Sequence, residues 1–299
     1  MTRIDFSIAA RDTILLWTQI LAAWYTAAII GNLAAQIICG AIVGNRYYSL
    51  YIIGHDGLHR RIHSNKSVND WWTNIFLIGP LGAVVRINRN NHMEHHKRLN
   101  LSGDPDRYKY QSRSGTSITK FLYSLTGLNF VLRALMNVYT KKNSKKNQHA
   151  ARHNITELIT IASIQISLVG TLTHAFGPWG YVTMWLIPVY IFTFCADMIR
   201  VYCEHSVDSD TADASLASRM PTYKSTIIER IILSPMNMNH HAAHHLWPSI
   251  PYYKLPVATE LAIHRVRMQC PDAPPIEFKG RYIDHLCRHA CNKPKQSEK

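Results

Sequence analysis

The histidines of this chain gather in three clusters. His55-Asp56-Gly57-Leu58-His59 is an HxxxH. Asn91-His92-Met93-Glu94-His95-His96 is an HxxHH, and Asn239-His240-His241-Ala242-Ala243-His244-His245 is a second HxxHH. On a helix, positions three and four apart share a face, so each cluster can turn two or three imidazoles toward one point. Packing that many neutral imidazoles together leaves costly polar groups unless something satisfies them, and a metal does so. Imidazole suits iron, zinc, copper and nickel. Eight nitrogens exceed what one four-coordinate zinc uses, so two metals are the simplest reading. Iron is the natural choice for oxygen chemistry.

The elements that must bring the clusters together are apolar. Residues 13–31 carry no charge and residues 33–53 carry only Arg46, with Gly31-Asn32 between the two runs. A bilayer-spanning helix needs about 20 apolar residues, so these read as a transmembrane hairpin. A second hairpin is predicted from residues 155–176 and 181–198, joined by Pro178-Trp179-Gly180. Lys and Arg crowd residues 54–154 and the chain from Arg200 onward and are absent from both hairpin turns. Cytoplasmic segments are enriched in these residues. Both termini and all three clusters are therefore expected on the cytoplasmic side.

Composition agrees. Lys+Arg number 33 against 19 Asp+Glu, a net charge of +14, while 47% of residues are hydrophobic and only 17% charged. A soluble domain is roughly 25% charged, and a disordered chain lacks large apolar residues. Mean hydropathy is −0.11, too polar for a protein made almost wholly of membrane spans. Basic charge beside anionic lipid accounts for the excess. A nucleic-acid partner would not explain its absence from the turns. The six cysteines form no CxxC and suggest no disulfide framework, which fits a reducing compartment. The first apolar run lacks a small-residue cleavage pattern and reads as an anchor, not a removable signal.

In order and spacing the clusters resemble those of the membrane fatty acid desaturase superfamily, the histidine-box di-iron proteins. The matching text runs over 55–256. It comprises HDGLH, Asn69-Asp70, HMEHHKRLN followed by Asp104-Pro105-Asp106, Arg200-Val201-Tyr202-Cys203-Glu204-His205, and the segment from Pro235 through HAAHHLWPSIPYYKLP. The resemblance implies a di-iron centre that uses O2 to attack an unactivated C–H bond of a lipid chain. It carries over His55, His59, His92, His95, His96, His241, His244 and His245 as iron ligands, and His205 as a further one. His63 stands one turn beyond His59 and could extend the first face. Asp56, Glu94, Glu204, Asp104 and Asp106 are placed to hold ligating imidazoles by their second N–H, or simply to cap loops, and Arg200 belongs to the same outer set. Asn69 and Asn237 either orient a metal-bound water or cap a helix. The first box is HxxxH, unlike the HxxxxH of the stearoyl-CoA branch, which weakens the case for an acyl-CoA substrate. An HPGG haem-binding motif is absent, so electrons are expected from a separate protein of ferredoxin or cytochrome b5 type.

His149, His153, His174, His240 and His264 read as bland. His285, Cys287, His289 and Cys291 interleave in a way that does not follow a zinc-finger spacing. The proline-pinned segment 247–256 reads as a lid or brace, or as a set of interfacial aromatic anchors. Residues 71–85 either dip into the interface or pack under the cytosolic part, and residues 121–139 read as an interfacial helix. The expected fold is all-α and integral to the membrane. It is a single domain over 1–299, with four transmembrane helices in two hairpins, a cytosolic helical cap (54–154 and 199–256) holding the di-iron centre, and a loose polar tail over 281–299. The leading function is an O2-dependent lipid desaturase. A lipid hydroxylase or carotenoid ketolase-type oxygenase uses the same ligands. A zinc-dependent membrane hydrolase or a metal transporter is the reading from a different class, although a transporter should carry its histidines inside the spans.

Overall fold

The computed structural model describes residues 1–99, 101, 103–109, 118–128, 155–205, 222–269 and 278–291. It is mostly helical. Helix α1 (Phe6–Ile30) starts where the Asp5 side chain accepts from the Ser7 N–H at 3.1 Å, and it ends at Gly31. Gly31 has φ 68°, a left-handed value that costs glycine little. Asn32 then caps α2 (Leu33–Leu58) by accepting from the Ala35 N–H at 2.8 Å. The two helices pack along each other. Helix α2 runs past the expected boundary at residue 53, so the first histidine cluster is its last turn and not part of a separate cap.

Residues 71–85 pack against neighbouring helices. Helix α3 (Lys66–Trp72) passes into a π-helical turn over Thr73–Leu77 and a short 3-10 turn over Gly79–Leu81. Trp17 Nε1 donates to the Phe76 carbonyl at 2.9 Å and the Tyr47 hydroxyl to that of Leu77 at 2.8 Å. Gln165 Nε2 donates to the Pro80 carbonyl at 2.8 Å. The segment thus has three of its carbonyls satisfied by side chains from three neighbouring helices. It leads into α4 (Val85–Arg98), whose first N–H donates to Asn74 Oδ1 at 3.1 Å. Of the interfacial helix expected over 121–139, α5 (Ile118–Leu125) is the part that can be described; residues 129–139 lie outside the described residues, as do His149 and His153.

Helix α6 (Ile155–Phe176) is followed by the turn at Gly177 and by α7, continuous over Val182–His205. Helix α7 contains π-helical turns at Val182–Leu186 and Tyr190–Cys195, on either side of Pro188. Proline removes a helical donor, and π-turns are a way for a long helix to absorb the mismatch. The helix crosses α2 at Gly44, where any Cβ would collide with the Pro188 backbone. Three helices, α1, α6 and α7, are long and apolar enough to cross a membrane. The fourth expected span, α2, is 26 residues long but less apolar; Gln36, Asn45 and Arg46 are the cause. Large apolar side chains such as Leu21, Tyr25, Leu33, Ile37, Ile38 and Ile166 are exposed on these helices. Inside, Trp185 packs edge-on against Tyr47 with ring centroids 4.6 Å apart.

The C-terminal part is a set of short elements: β1 (Thr222–Tyr223), α8 (Ile227–Ile232), α9 (His241–Leu246), α10 (Leu255–Gln269), β2 (Phe278–Lys279) and α11 (Tyr282–Cys291). The two strands pair in parallel over two residues each. The expected loose tail is corrected for residues 282–291; residues 292–299 lie outside the described residues. Residues Tyr282–Cys291 form a helix, because Tyr282 is fully buried against Tyr202, Cys203 and Tyr223.

Candidate metal centre

Four helices deliver the imidazoles. His55 and His59 come from the end of α2, His92, His95 and His96 from α4, His205 from the last residue of α7, and His241, His244 and His245 from α9. They form two adjoining groups. One nitrogen from each of His55, His59, His92, His96 and His244 lies within 4.8 Å of the others. So does one from each of His95, His205 and His245. His241 belongs beside the second group, with its Nε2 3.1 Å from that of His205 and 2.9 Å from that of His245. In the first group, His92 Nε2 lies 2.7 Å from His59 Nε2 and 3.1 Å from His96 Nε2. Two imidazoles about 2.0–2.1 Å from one ion sit roughly 3 Å apart at right angles, so these separations suit a shared cation. Adjacent residues His95 and His96 of α4, and His244 and His245 of α9, face different groups, which couples the two.

The donor atoms fit a metal chemically. Both ring nitrogens of His244 and the Nδ1 of His55 are buried without a hydrogen-bond partner. Such groups are costly unless something else satisfies them. Burial, and secondarily the neighbouring positive charges, hold the pKa of His92, His241, His244 and His245 well below the usual imidazole value. The same causes bring His96 down to about 3. These rings are therefore neutral at physiological pH and offer lone pairs.

Around them stands a shell of anions. Asp104 Oδ1 is 2.9 Å from His95 Nδ1, which assigns the proton to Nδ1 and frees Nε2 for the group. Glu204 Oε2 lies 3.7 Å from His241 Nδ1. Arg200 pairs with that same Glu204 oxygen, reaches Asp197 Oδ1 at 2.7 Å and donates from Nε to the Tyr48 hydroxyl at 3.1 Å. Asp106 pairs with Lys109 at 3.2 Å, and its N–H donates to Asp104.

Several candidates do something other than touch an imidazole. Glu94 forms an exposed ion pair with Arg98 one turn on. Asp56 accepts from the Tyr252 N–H at 2.6 Å and so ties the first cluster to the segment after the third. Asn69 clamps the chain that leaves α2: its Nδ2 donates to the Gly57 carbonyl at 2.9 Å and its Oδ1 accepts from the Ile62 N–H at 3.1 Å. Asn237 has φ 63° and donates to the Tyr252 carbonyl at 3.3 Å. His63 Nδ1 accepts from the Asn65 N–H, and the ring lies edge-on to Phe6; it belongs to neither group among the described residues. His240 is bonded to Thr259 at 3.0 Å.

Arg89 was not singled out by its sequence context, yet it joins two boxes. From α4 its Nε donates to the Leu58 carbonyl at 2.8 Å, and its Nη2 to that of Gly57 at 3.1 Å, so it satisfies the end of α2. The same guanidinium grips both oxygens of Asp70. Although burial raises it, the Asp70 carboxyl is held below its usual pKa by Arg89 and Asn69. The available signal was Arg89 standing one turn before His92 on the same helix. Tyr282 was also missed. Its hydroxyl donates to Glu204 Oε1 at 2.6 Å, from a tail that composition alone marks as solvent-facing.

The fatty acid desaturase family model matches residues 28–277. The chain is 24% identical to an sn-1 oleoyl-lipid 12-desaturase of Arthrospira platensis, over 72% of this chain and 65% of that protein. It is 23% identical to an acyl-lipid omega-3 desaturase (cytochrome b5) of the endoplasmic reticulum of Arabidopsis thaliana, over 75% and 62%. A third relative is an sn-1 acyl-lipid omega-3 desaturase (ferredoxin) of a Nostoc species, 24% identical over 73% and 64%. The chain thus spans just under two thirds of the length of these curated relatives. With 250 residues under one family model and the histidine clusters at its centre, the chain belongs to the fatty acid desaturase family.

Proposed function

We propose that the chain is an O2-dependent membrane lipid desaturase with a di-iron centre. His55, His59, His92, His96 and His244 hold one ion, and His95, His205, His241 and His245 hold the other. The observation that carries this reading is the convergence of nine imidazoles into two adjoining groups. One zinc uses four ligands at most sites, so a zinc hydrolase leaves about half of these histidines without a role. A metal transporter is disfavoured because the clusters sit at helix ends and not along the spans. When bound, the iron pair supplies the activation of O2 that breaking an unactivated C–H bond requires.

The chain's own residues supply the rest. Neutral buried imidazoles present lone pairs. Asp104 and Glu204 face the Nδ1 atoms of His95 and His241 and keep the other ring nitrogen of each free of its proton. The exposed apolar faces of α1, α2 and α6 keep the protein in the bilayer, so that an acyl chain reaches the histidines at the cytoplasmic edge. The overall reaction balances as O2, two substrate hydrogens, two electrons and two protons giving one double bond and two waters. The relatives' names support an acyl-lipid substrate and an electron donor of ferredoxin or cytochrome b5 type. The arrangement in the membrane is four spans in two hairpins, α2 being the second, with both termini and the clusters cytoplasmic.

Hydroxylation would use the same ligands. A deuterated lipid supplied under 18O2 to a host expressing the chain separates the two. Loss of two deuteriums without 18O supports the desaturase; loss of one deuterium with gain of one 18O makes the protein a hydroxylase.

A further inference from the structure

Behind His241 lies a chain of buried polar groups that ends in the C-terminal helix. The Tyr282 hydroxyl donates to Glu204 Oε1 at 2.6 Å. The other oxygen of Glu204 pairs with Arg200 and stands 3.7 Å from His241 Nδ1, which is ion-pair range rather than a hydrogen bond. Tyr282, Glu204 and Arg200 are 0%, 1% and 3% exposed. Water therefore cannot take over the role of any of them.

The geometry of Glu204 depends on both of its partners. Arg200 spends its other donors on Asp197 and the Tyr48 hydroxyl, which itself donates to the Leu233 carbonyl at 2.8 Å. Arg200 is thus locked and pulls on one Glu204 oxygen only. Without Tyr282 the second oxygen would be buried and unsatisfied, a cost that rotation of the carboxylate would relieve. Tyr282 is fixed in turn. Its ring stacks on Tyr223 with centroids 4.3 Å apart and an interplanar angle of 22°, and the Tyr223 hydroxyl donates to the Cys203 carbonyl at 2.9 Å. The Ile283 N–H donates to Glu229 Oε1 at 3.0 Å, which anchors the start of α11.

The proton on His241 decides which nitrogen can bind a metal. Two candidates face Nδ1: the Met238 sulfur at 3.3 Å, a weak acceptor, and the Glu204 carboxylate. A carboxylate behind a ligating imidazole fixes its tautomer and raises its basicity. Asp104 does this for His95 directly.

We propose that Tyr282 is a positioning residue of the second metal group. From outside the histidine boxes, it holds the Glu204 carboxylate in the orientation that keeps the proton on His241 Nδ1 and turns Nε2 toward the ion. The proposal rests on the two-metal reading above. It gives the C-terminal helix a role in metal retention, confined to the group of His95, His205, His241 and His245. Among the described residues, the bonds of Glu204 and Tyr282 reach no histidine of the first group, which is therefore expected to keep its ion.

The test uses the full chain in detergent, stripped of metal and titrated with Co(II), and reads stoichiometry and d–d absorption without any assay of turnover. Wild type is expected to take up two Co(II) per chain. Tyr282→Phe keeps the ring and its stack, and it should hold one ion normally and the other about 10- to 100-fold more weakly. Tyr223→Phe keeps the stacked ring and removes a different buried hydroxyl, the one bonded to the Cys203 carbonyl, so its loss of affinity should be several-fold smaller than that of Tyr282→Phe. Two ions bound by Tyr282→Phe with affinities within twofold of wild type would overturn the proposal. So would equal losses in the two variants, which would trace the effect to the stack and not to Glu204. A wild-type chain that binds at most one Co(II) overturns the two-metal reading and the proposal with it.

Discussion

His244 is buried with no partner for either ring nitrogen, while His63 and His174 sit outside both groups. Replacing His244 or His96 by Ala should abolish activity and lower bound iron from about two per chain, with membrane insertion intact; His63→Ala and His174→Ala should keep both. Metal analysis of the four purified variants checks this, and full iron in His244→Ala would remove it as a ligand. Arg89→Ala takes the side-chain donor from the Leu58 carbonyl and the guanidinium from Asp70, while Asn69 still donates to Gly57 and Asp70, and should cost about 2–3 kcal/mol, since bonds to charged groups are the strong ones. Arg89→Lys should recover only part of that, having no fork to reach three acceptors. Thermal unfolding of both variants measures it. pH acts through the lowered imidazoles. Their folded pKa lies below the unfolded value of about 6.5, so below that pH the unfolded chain binds more protons. The imidazoles' contribution to the stability of the metal-free protein should be full above about pH 6.5 and shrink steadily as pH drops toward 3. A midpoint that stays flat from pH 8 to 5 would contradict it. The ligand candidates were legible because a helix makes i, i+3 and i+4 neighbours whatever the tertiary fold. Arg89 and Tyr282 were not, since their partners lie 31 and 78 residues away and no local pattern records them. Glu94 sits inside the second box and still turns outward to Arg98, because adjacency in sequence places it on another face.

Among the elements, α2 is the one that the apolar pattern described least well. Hydropathy marks where a helix leaves lipid, not where it ends, so the apolar run stops at residue 53 although the helix continues to Leu58. The same holds for α7, which continues past 198 to His205. These extensions matter, because they carry His55, Arg200, Glu204 and His205 on rigid rods rather than loops. The turn between Gly31 and Asn32 was legible from its residues, and the structure puts the turn there. Helix α11 was not, since a polar composition says nothing about one tyrosine being buried. Helix α2 also depends on Gly57, where a Cβ would overlap the Thr73 side chain. Gly57→Ala should cost about 1–3 kcal/mol by overpacking and disturb His55 and His59 on either side. Thr73→Ala in the same chain should recover part of the loss, because it removes the two closest atoms. Equal stability of the single and double variants would refute the contact.

For the molecule as a whole, the asymmetry of Lys and Arg predicts that Met1 and Lys299 lie on the same, cytoplasmic, side of the membrane. Protease protection of tags at the two ends tests this, and tags on opposite sides would exclude a fourth span at α2. The N-terminal helix is also tied to the segment that follows the third histidine cluster. Tyr252 donates from its N–H to Asp56 and from its hydroxyl to Asp12, at 2.6 Å each, and the Asp5 N–H donates to the Tyr253 hydroxyl at 2.7 Å. Lys254 Nζ donates to the Arg3 carbonyl. Asp12 and Tyr252 are 240 residues apart. A ribosome adds roughly 5–20 residues per second, so the first helix waits on the order of tens of seconds for the segment that latches it. Over that interval Asp12 and Asp56 lack the two Tyr252 donors that later bind them, and the third histidine cluster has yet to be made. A chain released before Tyr252 keeps its first hairpin and has no latch. The order of synthesis thus makes the first hairpin available for pairing well before the histidine centre can close.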